Sequence, residues 1–121
     1  DLPVGFREIP KDSYETCDAL VFFTSSNETA RSCRDELIKA GLGTKILPEA
    51  VTWHFAGTWD HMPELVDRCG PDLIKSFSKS ANILNKSVSI PINIYMIKDF
   101  EKKIRTALKS VLKKRLPLQF Q

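Results

Sequence analysis

Apolar residues fall along the chain in blocks whose spacing changes from one block to the next. Leu20 to Thr24 is a compact run rich in valine and phenylalanine, which predicts a strand buried on at least one face. From Glu28 to about Ala40 the spacing becomes helical. Ala30, Cys33, Leu37 and Ala40 recur at three or four residues, while Arg31, Arg34, Asp35 and Lys39 belong mostly outside. Ser25 and Glu28 have the spacing of a capping box, Asn27 competes as N-cap, and Gly41 closes the helix. Leu42 to Leu47 then predicts a second short strand, with its glycine near the start.

Beyond a long loop, Met62 to Cys69 is a possible helix with Pro63 in its first turn, stopped by Gly70 and Pro71. Leu73, Phe77, Ala81 and Leu84 next define a helical face suited to a sheet, ending at Asn85. Val88 to Ile94 alternates in the manner of a strand. Pro91 lacks an amide donor, which places that strand at an edge or breaks it there. Asp99 is the expected N-cap of a last helix running to about Lys114. Phe100, Ile104, Leu108 and Val111 or Leu112 line one side of it, and Lys102, Lys103, Arg105, Lys109, Lys113 and Lys114 the other.

Strand, helix, strand, loop, one or two helices, strand, helix is the order of a small two-layer α/β (α+β) domain. Three or so short strands would form a mixed or antiparallel sheet covered by helices on one face. Residues 1–19, with two prolines and no sustained period, are expected to be an entry segment or linker. Residues 20–116 are then the domain and 117–121 a tail. The first residue is Asp rather than Met, so a piece of a longer protein is the expectation.

The loop from Leu47 to Pro63 carries the candidate chemistry. Its seventeen residues hold both tryptophans (Trp53, Trp59), both histidines (His54, His61), Phe55, Gly57 and Asp60, on neither a helical nor a strand period. Rings concentrated in a loop either plug their own domain or line a cleft. The polar groups interleaved with them favour a cleft. A metal site is a weak reading, because His54 and His61 are seven apart rather than at the i, i+4 spacing of one helical face. No GxSxG or phosphate-loop motif is present.

Composition narrows the classes. A chain of 121 residues with net charge +3, 42% hydrophobic and 27% charged, fits one ordinary globular domain. No apolar run is long enough to span a membrane, so no membrane partner is expected. Cys17, Cys33 and Cys69 are odd in number and form no CxxC, which suits reduced thiols in a cytoplasmic protein. The lysine-rich side of the last helix has no aromatic residues interleaved and few arginines. It reads as a solvated face, and no nucleic-acid partner is expected.

From Cys17 to Lys114 the chain resembles the C-terminal small domain of sugar aminotransferases of the DegT/DnrJ/EryC1/StrS type, within the fold-type I pyridoxal-phosphate class. The residues that carry the resemblance are ALVFFTSS, KAGLGTKIL, TWHFAGTWDHM and SFSKSANILNKSVSIPI, followed by the helix from Asp99. Trp53 stands where many relatives have tyrosine before the histidine, and GTWDHM is unusually long.

The resemblance implies a complete enzyme that moves an amino group from glutamate to a keto-sugar, usually nucleotide-linked. It also implies a missing N-terminal large domain that supplies the lysine and other groups holding pyridoxal phosphate, and a homodimer. The fragment itself would bind no cofactor and catalyse nothing alone. Its part would be to close the substrate side of the cleft, with Trp53, His54, Trp59 and His61 facing the substrate. The alternative is a stand-alone binding or interaction module with a basic C-terminal helix.

Overall fold

The computed structural model describes residues 2–46, 55–93, 96 and 99–113. Among the described residues four short strands form one antiparallel sheet: β1 (Gly5–Phe6), β2 (Ala19–Phe23), β3 (Lys45–Ile46) and β4 (Ser87–Pro91), in spatial order β1-β2-β4-β3. Strand β4 pairs antiparallel with both β2 and β3, so those two run parallel to each other with β4 between them. Connected through helix α1 (Asn27–Lys39), they make a split βαβ unit.

The register assigns the core. Leu20 lies opposite Ile90 and Phe22 opposite Val88, so these four side chains share one face of the sheet. Phe22, Val88 and Ile90 are fully buried there. They join Ala30, Cys33 and Leu37 of α1 and Ile104, Ala107, Leu108 and Leu112 of the last helix, Phe100–Leu112, in one hydrophobic cluster. Cys33 is thus a core thiol, and Ala30 and Ala107 are small enough to let the two helices approach each other and the sheet.

Local chemistry fixes the ends of α1. Ser26, not Ser25 or Asn27, is the N-cap: its backbone is extended and its Oγ accepts the Thr29 N–H at 3.1 Å. Asn27 instead donates from Nδ2 to the carbonyl of Asn85, tying the helix start to the turn before β4. At the other end the Leu42 N–H reaches Leu37 O and the Gly41 N–H reaches Ile38 O, both at 2.9 Å, with Gly41 at φ +79. This is a Schellman closure, and it buries Leu42 against the core.

Several expectations need correction. Residues 2–6 are not a linker, since β1 pairs with β2 while Leu2 and Val4 pack on the core. Of the two alternatives for Pro91, the structure has the break and not the edge: β4 is internal, and it ends at Pro91. Beyond it the Ile92 N–H bonds to Asp18 O and the Ile92 side chain is exposed. The face from Leu73 to Leu84 is two helices, α3 (Leu73–Ser76) and α4 (Ser78–Leu84), after α2 (Pro63–Cys69). Phe77 leaves helical geometry between them, at φ −105 and ψ 27. Asp99 caps the last helix, α5, through its carbonyl to the Lys103 N–H and not through its side chain, for its φ is +81. The expected strand end at Leu47 lies outside the described residues.

Candidate functional site

The described part of the aromatic loop begins at Phe55, so Trp53 and His54 lie outside the described residues. From Phe55 the chain enters a single 3₁₀ turn, Ala56–Thr58, closed by the Thr58 N–H and Thr58 Oγ1 both bonding to Phe55 O. Two further turns follow, the Trp59 N–H to Ala56 O and the Met62 N–H to Trp59 O. The Met62 carbonyl then accepts from Leu65 and Val66, and Pro63 starts α2 without needing a donor. Seven residues with no period are thereby given a fixed path by backbone bonds.

Its anchor is Phe55. That ring is buried, meets Phe77 edge to face with centroids 6.3 Å apart, and lies directly over Gly57. A Cβ at position 57 would come within 2.6 Å of the ring's Cζ, so glycine is required there. Leu73 of α3 is buried as well, yet neither Phe55 nor Leu73 belongs to the cluster shared by the sheet, α1 and α5. The loop and α3 thus form a second, smaller apolar centre, and the first part of the face expected to lie on the sheet, Leu73 and Phe77, packs at the loop instead.

On this platform Trp59 is half-buried, while Asp60 and His61 are exposed. The residues of the loop therefore differ in burial: Phe55 plugs its own domain, Trp59 is half-buried and His61 is exposed. Sequence reasoning missed Phe55 as the anchor, although the Phe55–Gly57 spacing was its available signal. Among the described residues no group of three His, Cys, Asp or Glu side chains is placed to hold a metal ion. No described helix is long and apolar enough to cross a membrane.

The basic face of α5 is confirmed as exposed at Lys102, Arg105 and Lys113, with Arg105 paired to Glu101 at 2.8 Å one turn back. On α1, the hydrogen bond and charge of Glu36 raise the pKa of Lys39. Its small contribution is present below the ordinary lysine value of 10.5 and fades only as pH rises through the folded value above it, so it offers no switch near neutrality. Compared with protein-family models, with curated proteins and with solved structures, the chain matches none.

Proposed function

We propose that this domain is the cleft-closing small domain of a pyridoxal-phosphate-dependent aminotransferase acting on a keto-sugar, and that the aromatic loop is its substrate-side surface. The observation that carries the reading is the anchored loop. Phe55 and Gly57 hold a turn that the main core does not need, and that turn presents Trp59 and His61 at the surface beside the Trp53–His54 pair in sequence. An indole face excludes water from a sugar ring, and an imidazole offers a hydrogen bond to a hydroxyl or phosphate.

Pyridoxal phosphate needs a lysine, a carboxylate for its pyridine nitrogen and a ring stacked on it, groups that the resemblance assigns to the large domain. The hollow holding Phe100 and Lys103 has no carboxylate to pair with a pyridine nitrogen. The one holding Lys39, Lys102 and Lys103 beside Glu36 and Asp99 has no ring to stack on it, and the one between β1 and α5 has no lysine. On this reading the cofactor and its chemistry belong to a large domain upstream, and this chain contributes binding, orientation and water exclusion.

The test is kinetic and uses the complete gene product. His54→Ala should lower kcat/KM for the keto-sugar by up to about tenfold, the worth of one hydrogen bond to a neutral group, while sparing the glutamate half-reaction. His61→Ala should do less. A gene product with no upstream lysine-bearing domain, or an equal loss in both half-reactions together with a lower Tm, would overturn the reading.

A further inference from the structure

We infer that the chain pairs with a second copy of itself, the segment between β1 and β2 of each copy lying over the hollow between β1 and α5 of the other. This surface is separate from the aromatic loop and does not depend on the function proposed for it. Every residue from Gly5 to Asp18 is exposed, with Phe6 at 63%, Ile9 at 52% and Tyr14 at 98%. The segment is nevertheless braced by its own bonds. Arg7 Nη2 meets Glu15 Oε1 at 2.7 Å across its base, the Ser13 N–H and Oγ both donate to Pro10 O at its turn, and Thr16 Oγ1 donates to Asp18. Large apolar side chains held outward on a braced segment mark a contact surface.

The hollow supplies the other half of the fit. Strand β1 lies at an edge of the sheet, and between it and α5 the hollow encloses about 310 Å³. Leu2, Val4, Leu20, Ile104 and Leu108 make it apolar, while Glu101 and Arg105, paired at 2.8 Å, also line it.

Charge selects the occupant. From Arg7 to Asp18 the segment holds four acids, Glu8, Asp12, Glu15 and Asp18, against Arg7 and Lys11. Helix α5 holds four bases, Lys102, Lys103, Arg105 and Lys109, against Glu101. Lys102, Arg105 and Lys109 follow one another at three and four residues, so they form a basic ridge that meets the hollow at Arg105. An acidic segment with apolar side chains thus matches a basic, apolar hollow carried by the same chain. Within one copy the two do not meet, since the segment is exposed throughout. Two copies related by a twofold axis make both contacts at once, and the pair is closed.

The experiment is sedimentation equilibrium on the whole chain at rising concentration. A monomer–dimer equilibrium is expected with a Kd of about 100 μM or tighter, weakened by added salt. Tyr14→Ser should keep the Tm, because the ring is exposed in the single copy, and weaken the dimer about tenfold or more. Two charge variants test the arrangement. The first carries Glu8→Lys and Asp12→Asn, asparagine tolerating the left-handed backbone of position 12 at φ +66, and the second carries Lys102→Glu and Lys109→Glu. Each alone should be monomeric, since its segment and its helix then have charge of the same sign. Mixed, they should form a heterodimer, because each segment meets a helix of opposite sign. A chain that stays monomeric up to about 1 mM would give the hollow to a different partner and overturn the inference. A dimer indifferent to Tyr14→Ser, or charge variants that dimerise alone or fail to pair when mixed, would overturn it as well.

Discussion

Gly57 shows what a single residue decides in this protein. Its missing side chain is the space the Phe55 ring occupies, and that ring also meets Phe77 edge to face. Gly57→Ala should therefore lower stability by about 1–3 kcal/mol, the usual cost of overpacking a filled site, read as a fall in Tm. In a Phe55→Leu background the same change should cost clearly less, because the clash is with the ring, and an additive double-mutant cycle would refute that account. The sequence marked this loop by its composition, and the concentration of rings was a sound guide to where something unusual happens. It did not sort the rings. In a segment without a helical or strand period, no repeat tells which side chain turns inward, so Phe55 and Trp59 looked alike until backbone turns gave them different directions.

Elements were legible wherever a periodic face met a stiff partner. The 3.6-residue spacing of Ala30, Cys33 and Leu37 and that of Ile104, Leu108 and Leu112 describe two faces that do meet on the sheet. The alternation of Val88 and Ile90 describes the strand beneath them. Ends and breaks were less legible, because they depend on which of several adequate groups wins. Ser25, Ser26 and Asn27 all suit an N-cap, and only geometry selects Ser26. Ser26→Ala should then cost about 1 kcal/mol of stability, and Ser25→Ala much less, in parallel denaturant titrations. An equal cost at both positions would show the cap to be shared. The spacing from Leu73 to Leu84 is as regular as that of α1. There, however, a tertiary contact overrides the local pattern, for Phe77 turns out of the helix to meet Phe55.

At the scale of the whole molecule, the α/β class and the one-sided covering of the sheet followed from the order of elements. The position of the last strand did not, since nothing in the spacing of Val88 to Ile90 says whether that strand lies at the edge or in the middle. It lies in the middle, and this bears on how the chain acquires its structure. Strands β2 and β3 do not bond to each other, so a chain that has emerged only as far as Leu84 holds the short β1–β2 pair, a β3 with no ladder to join, and a helix whose apolar face has half a floor. The bonds that complete the sheet span long separations: Thr24 Oγ1 to Lys86 O joins residues 62 apart in sequence. Loop closure must be met before such contacts return anything, so sheet formation and docking of the helices should occur as one late, cooperative step. A chain ended at Leu84 should show no cooperative unfolding transition in urea, whereas the whole chain should show one. During synthesis, then, the apolar side of α1 stays uncovered at least until Ser87 to Pro91 arrives, and that interval is when this domain most needs protection from aggregation.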